Sequence, residues 1–399
     1  MAKVFLKQRK ARPFWFGHPW VFSGAIDRVR GKVKDGEIVE LCDFEGQVIG
    51  TGFYNSKSQI QVRLVARAPE GELSTDLLLE RVDRAIALRH EVLRLPERTN
   101  AYRLIHGEGD GIPGLVVDRL DSLLVLQISC LGLVSHLDPI LARLMERMGP
   151  VAIVERRSAI AEEEEGLLRE EGVLRGTLPQ LPLNIHEDGL QFPCDPVSGQ
   201  KTGFYTDQRD NHLALAPLAR GRRVLDAFSY MGGFGLRMAK EGAASVHLLD
   251  SSEAAIALAE VAIARNGLSG KVTTERGNVL RQLEHDHTAG KTYDMVVLDP
   301  PKFVHKRSAL ERGLKLYAEV NRKGVLVLEN GGILVTCSCS QHVSAEHFEE
   351  MLGAVGHQAG VRFQEIYRGG QAPDHPVLLP LAESRYLKCR AYRVWKSAP

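Results

Sequence analysis

The chain has 399 residues, 44% of them hydrophobic and 25% charged, with a formal net charge of +1. That length exceeds one ordinary core and implies two or three domains of a globular protein. The near-neutral balance excludes a partner announced by bulk charge, and the absence of any run of about 18 apolar residues argues against a membrane span.

The start, MAKVFLKQRKARPFWFG, has no apolar signal core or small-residue cleavage site, so a cytoplasmic location is expected. The six cysteines have neither disulfide-framework nor zinc spacing, and no metal site is expected. A reduced thiol can act as a nucleophile.

Residues 1–72 alternate β-like runs (EIVELCD, QVIGTGFYN, QIQVRLVAR) with glycine-punctuated turns, which predicts a small β-barrel or sandwich. Its opening is basic, with Lys3, Lys7, Arg9, Lys10 and Arg12 before the first acid, Asp27. Phe14, Trp15, Phe16, Trp20 and Phe22 are interleaved. Residues 74–95 carry leucines at helical spacing behind Ser74 or Thr75 as N-cap. GLVVDRLDSLLVLQIS reads as a hairpin, followed by a helix near 134–148 and the strand VAIVERR. Residues 73–183 are therefore expected to form a small α+β domain. The acidic run AEEEEGLLREEG at 161–172 reads as a solvated helix face or loop.

Over 184–399, short apolar runs are followed by helical stretches. This predicts a doubly wound, largely parallel sheet, an α/β fold. Right-handed crossovers bring the strands' carboxyl ends to one edge, where ligands bind. The first strand ends in VLDAFSYMGGFGL. Gly232, Gly233 and Gly235 follow Asp226 in a turn that is neither GxGxxG nor a P-loop. Such a turn suits a ligand that approaches the backbone closely and brings no phosphate. S-adenosylmethionine fits, because its sulfonium favours negative potential.

The second strand ends in VHLLD. Asp250 can accept from ribose hydroxyls there or cap the next helix, a role open also to Ser251 or Ser252. Asn278 in RGNVL can pair with an adenine edge. VVLDPPKF presents Asp299 on a stretch stiffened by Pro300 and Pro301. GGILVTCSCSQH places Cys337 in a strand and Cys339 just past its end. EHDH at 284–287 has metal-like residue types but reads as a solvated loop, and His342 and His347 read as helix surface. HKRSALERGLKLY at 305–317 gives a helix a basic start suited to phosphate.

DAFSYMGGFG, LLD, DPPKF and TCSCS together resemble class I S-adenosylmethionine-dependent methyltransferases acting on RNA. Over nearly its full length the chain is similar to the bacterial 23S rRNA 5-methylcytosine methyltransferases. HPWVFSGAI (18–26), SGQKTGFYTDQRDNH (198–212), DHPV (374–377) and RYLK (385–388) match stretches of that family. The resemblance implies an N-terminal PUA-like RNA-binding domain (1–72), a small α+β middle domain (73–183) and a Rossmann-like methyltransferase domain (184–399). It implies S-adenosyl-L-methionine as cofactor and large-subunit ribosomal RNA as partner, with no membrane. A homodimer is left open.

The cofactor-binding residues expected are Asp226, Phe228, Gly232, Gly235, Asp250, Asn278 and Asp299. Gln208, Arg209 and Asn211 are expected near the cofactor's methionine end or the RNA entry, with a structural role in joining the middle domain as the alternative. The chemistry implied is covalent. C5 of cytosine is a poor nucleophile, and a thiolate added at C6 makes it enamine-like. A base then removes the C5 proton and the thiol leaves.

Cys339 matches the family's SCS cysteine, whereas Cys337 suits a small buried hydrophobe. Enzymes with two cysteines place one beside the proline pair. Lys302 stands there in this chain, which points to a one-cysteine scheme. Glu383 in LAESRYL resembles the base of uracil C5 enzymes, or is a surface carboxylate. Asp299 is expected at the base's edge or its protonated ring nitrogen. The alternatives are uracil C5 or exocyclic-amine methylation, although DPPK departs from NPPY, and an RNA-binding protein with a silent domain.

Overall fold

The computed structural model describes residues 1–67, 70–197 and 203–396, so SGQKT at the start of the 198–212 stretch lies outside the described residues. The chain divides into two compact units: residues 1–183, 195–204 and 373–384 form the first, and 184–194, 205–372 and 385–399 the second.

In the first unit, β1 (Ala2–Leu6), β2 (Trp20–Phe22), β3 (Ile26–Arg30), β4 (Ile38–Cys42), β5 (Val48–Tyr54) and β6 (Ile60–Arg67) form one sheet in the order β2-β6-β5-β4-β1-β3. Strand side chains alternate between faces, and one face buries Val4, Leu6, Val39, Leu41, Val62 and Leu64. The one-turn helix α1 (Arg12–Trp15) adds Phe14 to that core and leaves Trp15 and Phe16 exposed.

A second sheet has the order β11-β10-β9-β8-β7. Its strands are β7 (Ala101–His106), β8 (Leu115–Leu120), β9 (Leu123–Ile128), β10 (Ala152–Glu155) and β11 (Gly172–Gly176). β8 and β9 are the expected hairpin. Helices α2 (Thr75–Ala87) and α3 (Leu137–Met148) contribute Leu78, Val82, Ile140 and Leu144 to its core. Ser74 caps α2, its Oγ accepting from the Leu77 N–H.

The acidic run is solvated only in part. It opens in α4 (Ala159–Glu165), where Glu163 and Glu164 are exposed but Glu165 is buried. The Glu165 carboxylate accepts from Arg63 Nη2 at 2.9 Å, Ser58 Oγ at 2.9 Å and Asn55 Nδ2 at 3.0 Å. Arg63 also donates to Glu108 at 3.0 Å, and Glu108 accepts from Trp20 Nε1 at 2.7 Å. A guanidinium buried on β6 demands a carboxylate, and the last residue of α4 supplies it. Local charge density carries no sign of a partner about 100 residues away, which is why the run looks uniformly solvated.

Residues 373–384, which include most of the DHPV motif's surroundings, join the first unit through a similar network. The buried Arg89 donates to both Asp110 oxygens, at 2.6 and 2.9 Å, and to the Asp374 carbonyl at 2.5 Å. The Asp374 carboxylate accepts from the Arg103 N–H at 2.9 Å.

The second unit opens with the hairpin β12 (Leu183–Glu187) and β13 (Leu190–Cys194), then α5 (Arg209–Leu215). Next come β14 (Arg223–Ala227), α6 (Gly233–Lys240), β15 (Ser245–Asp250), α7 (Glu253–Arg265), β16 (Val272–Arg276), α8 (Val279–Thr288) and β17 (Tyr293–Leu298). The remainder is α9 (Leu310–Leu326), β18 (Leu328–Ser338), α10 (Ala345–Gln358), β19 (Val361–Gly369) and β20 (Lys388–Lys396). The sheet order is β16-β15-β14-β17-β18-β20-β19. β14 to β18 run parallel, and β20 lies antiparallel between β18 and β19. The order reverses between β14 and β17, so the crevice opens there. Helices α8, α9 and α10 bury Leu283, Tyr317, Val320, Phe348 and Leu352 against this sheet.

Two local expectations are corrected. EHDH is helical, inside α8, and its Asp286 is buried and accepts from Tyr293 Oη at 2.7 Å. Its spacing puts the acid on the core side and the histidines outside. His342 precedes α10, so only His347 is helical. Among the described residues no helix is long and apolar enough to cross a membrane.

The Arg63–Glu165 pair generates a stability prediction. Glu165→Ala leaves a buried guanidinium with only Glu108, and the first unit is expected to lose about 3 kcal/mol. Urea unfolding followed by the fluorescence of the three tryptophans, two of them in the first unit, checks this, and an unmoved midpoint would contradict it.

Candidate active site at the carboxyl edge of the sheet

After β14 the chain turns through Phe228, Ser229 and Tyr230. Phe228 (φ +62°) and Tyr230 (φ +50°) are both left-handed, which costs a non-glycine residue roughly 1–3 kcal/mol. The end of β15 holds them there. The Asp250 Oδ2 accepts from the Tyr230 N–H at 2.9 Å, and the Leu249 carbonyl accepts from the Ser229 N–H at 3.1 Å.

The glycines meet a packing demand. Gly232 is left-handed (φ +87°), and a Cβ on Gly235 would stand 2.3 Å from Leu248 Cδ2. Their bare Cα atoms let α6 lie against β15, so they face protein where the sequence suggested a cradle for a ligand. Asp226 is 1% exposed, and its Oδ2 accepts from the Gly235 N–H at 2.8 Å. Burial pushes its carboxyl up to about 8, with Gly235 working against this and the charges of Asp299 and Asp250 adding to it. Asp226 therefore braces the turn from inside, and negative potential at the edge has to come from elsewhere.

At this edge Phe228, Tyr230, Asp250, Asp299 and Cys339 are half-buried, and Asn278 is exposed. Both Asp250 oxygens accept a backbone N–H, from Tyr230 and from Ser252, each at 2.9 Å, and keep further lone pairs. Ser252 caps α7 in its place, accepting from Ala255 at 3.2 Å. The Asn278 Oδ1 caps α8 by accepting from the Arg281 N–H, which leaves its Nδ2 for another partner.

Gln208 and Arg209 are buried, Arg209 completely. Arg209 Nε lies 3.4 Å from Asp210 Oδ1. Gln208 ends a directed relay. Tyr367 Oη donates to Asn211 Oδ1 at 2.8 Å, Asn211 Nδ2 donates to Gln208 Oε1 at 2.6 Å, and Gln208 Nε2 donates to Asp299 Oδ2 at 3.1 Å. Each amide has one orientation that satisfies both neighbours, so the relay fixes the Asp299 carboxylate.

β18 ends at Ser338, and Cys339 is the next residue. The register pairs Thr336 of β18 with Leu298 of β17, so Cys339 and Asp299 leave adjacent parallel strands at the same edge. Of the six cysteines, five are buried and Cys339 is half-buried. Cys337 faces Cys389 across β18 and β20. Burial, together with Cys389 and Asp299, holds the Cys337 thiol well above its ordinary value. Beyond Cys339, Ser340 Oγ bonds Tyr317 Oη at 2.8 Å and accepts from the Val304 N–H at 3.2 Å. Lys388 Nζ donates to the carbonyls of Ser340 and Tyr386, both at 2.8 Å. Glu383 belongs to the first unit, in the short turn Ala382–Ser384, where its charge acts on His18.

Sequence reading did not single out Tyr205, whose ring meets Tyr230 edge-on at 5.1 Å. Burial and then the charges of Asp207, Cys339, Asp299 and Asp250 push its phenol up. Acidic groups thus gather at the edge, and this donor set fits a cationic sulfonium. Lys388 and the Asn211–Tyr367 link were also missed. A lysine opening a mostly buried strand, KCRAYRVW, was the available signal for the first.

Residues 4–67 match the model of a PUA-like domain, and residues 174–388 match that of the S-adenosylmethionine-dependent methyltransferases. The chain is 37% identical over 395 residues to the ribosomal RNA large subunit methyltransferase I of Shewanella denitrificans, covering 98% of this chain and 99% of that one. It is 36% identical over 388 residues to the protein of the same name from Alteromonas mediterranea, covering 97% of each. A crystal structure of a methyltransferase complexed with SAH superposes with a TM-score of 0.85 at 18% identity, over 98% of this chain and all of that one. A SAM-dependent methyltransferase from Streptococcus mutans gives 0.84 at 18%, over the same shares. At that identity the structural likeness is one of fold. With both family models and the curated relatives in agreement over nearly its whole length, the chain belongs to the S-adenosylmethionine-dependent methyltransferases, in the PUA-containing family of the ribosomal RNA large subunit methyltransferase I proteins.

Proposed function

We propose that the chain methylates C5 of a cytosine in large-subunit ribosomal RNA, through a covalent bond from Cys339 to C6. The observation that carries this reading is the contrast among the cysteines. Five are buried, and the sixth stands half-buried at the end of β18, beside the strand that presents Asp299. The names of the relatives support the RNA class. The exposed Trp15 and Phe16, with the Arg12 guanidinium 5.6 Å from the Phe16 ring centre, suit a grip on unpaired bases and phosphates.

Bound S-adenosylmethionine would supply an electrophilic methyl group to C5 and leave as S-adenosylhomocysteine. Asp250 would take its ribose hydroxyls and Asn278 Nδ2 its adenine edge, with Phe228 against it. The residues of the chain do the rest. The Cys339 thiolate forms the S–C6 bond and pushes the C5=C6 electrons onto C5. Asp299, held by Gln208, accepts from the protonated ring nitrogen and so stabilises charge as it develops. Once C5 carries the methyl group, a base removes the C5 proton, which restores the double bond and expels the thiolate; the resemblance of LAESRYL makes Glu383 the candidate for that base.

Two expectations follow. Wild type incubated with labelled S-adenosylmethionine and large-subunit rRNA yields 5-methylcytidine on nucleoside mass spectrometry, and Cys339→Ala yields none. Comparable methylation by Cys339→Ala would sink the covalent scheme, and the identity of the product nucleoside separates uracil and amine methylation from it. Gln208→Ala, which removes the Gln208 hydrogen bond to the Asp299 carboxylate, is expected to lower kcat by about 10- to 100-fold with the fold intact by circular dichroism. An unchanged kcat would remove the relay from the mechanism.

A further inference from the structure

β20 runs antiparallel to β18, so its first residue lies where β18 ends, and the register pairs Lys388 with Ser338. Lys388 is 4% exposed. Lysines are almost never buried without a partner, and a core position in a strand is filled at less cost by an aliphatic side chain. Among the described residues no carboxylate lies within ion-pair distance of Lys388. Its Nζ instead donates to the Ser340 and Tyr386 carbonyls. Ser340 follows Cys339 and Ser338 precedes it. The lysine is therefore fixed to the backbone on both sides of that cysteine, by strand pairing before it and by the Nζ bond after it.

An ammonium has three N–H donors, and the two carbonyls take two of them. Carbonyl acceptors favour the charged form without neutralising it. The group that opposes the burial of this charge is Cys339, while Arg390 and Lys302 repel it. Burial, followed by those two cations, pulls Lys388 down to about 8, with Cys339 working in the opposite direction. The phenols of Tyr205 and Tyr317 also feel Cys339, and both are pushed up, so they stay neutral and add no charge beside it. Asp299, on the neighbouring strand end, adds a negative one.

We propose that Lys388 is a positioning residue for Cys339: its ammonium, held within the sheet by two backbone carbonyls, favours the thiolate over the thiol at that cysteine. This rests on the reading of Cys339 as nucleophile. The linkage is reciprocal, so a cation beside the thiol lowers the pH at which it ionises, and the thiolate in turn keeps the lysine protonated. At neutral pH both would be charged, and the nucleophile would need no separate base.

The test is the rate of iodoacetamide alkylation of Cys339 across pH 5.5 to 9.5, read at its peptide by mass spectrometry, without RNA or cofactor. Wild type is expected to show a midpoint below the ordinary thiol value of about 8.5. Lys388→Met should raise the midpoint by about one unit or more, cutting alkylation at pH 7 by about tenfold, and Lys388→Arg should stay near wild type. Coincident wild-type and Lys388→Met profiles, or a wild-type midpoint at or above the ordinary value, would overturn the proposal. Where Lys388→Met does not fold, the wild-type midpoint and the Lys388→Arg profile decide. Failure of the nucleophile reading shows elsewhere, as methylation by Cys339→Ala.

Discussion

The antiparallel pairing of β20 with β18 is the constraint on which the edge depends. Without it the fifth parallel strand would end the sheet with an open ladder of backbone donors and acceptors. With it, β18 is buried from Gly332 to Ser338, and the two cysteines two residues apart acquire opposite environments. Cys337 is locked against Cys389, and Cys339 emerges from the end of the ladder. The same pairing brings the start of an antiparallel strand, and so Lys388, to an edge otherwise built from strand ends. One hydrogen-bonded register thus sets which thiol is accessible and which cation accompanies it.

Behind that edge the fold spends polar groups on orientation. Asp226, Gln208, Asn211 and Arg209 are buried, while Asp250, Asp299 and Cys339 are the half-buried groups in front of them. Buried polar groups need partners, and a chain of fully satisfied ones has a single arrangement. The Tyr367–Asn211–Gln208–Asp299 relay applies this to a carboxylate. The two left-handed aromatics apply it to the backbone, since Phe228 and Tyr230 keep their unfavourable conformations only because the end of β15 holds the turn.

Much of this was legible in the sequence where the signal is local and periodic. Alternating β and α patterns gave the sheet, and the apolar run ILVTC followed by SCS separated a strand cysteine from one past its end. Asp250 and Asp299 were found because strand ends are where ligands bind in such sheets. What escaped notice depends on partners distant in the chain. Glu165 lay hidden in an acidic run because its guanidinium is on β6. Asp226 looked like a ligand-facing acid because nothing local says that α6 will close over it. Gly235 looked like room for a ligand because the sequence cannot show Leu248 standing 2.3 Å from the missing Cβ. Lys388 needed the register of two strands 50 residues apart.

The edge faces two opposite electrostatic demands on the reading proposed above. A sulfonium cofactor favours negative potential, whereas a cysteine that must be a thiolate favours positive potential. Coulomb interactions fall with distance and are strong where water is scarce, so the charges have to be placed separately. Carboxylates occupy the ends of β15 and β17, and Lys388 enters from β20 behind the cysteine. Asp226, the acid deepest in the sheet, is the exception that fits. Burial holds its carboxyl up to about 8, so near neutrality it adds little negative charge to a site that already has Asp250 and Asp299. A third fixed carboxylate there would deepen the well for the cofactor but raise the cost of ionising the thiol. By neutralising the buried acid and opposing the half-buried ones with a buried ammonium, the fold can meet both demands at one edge.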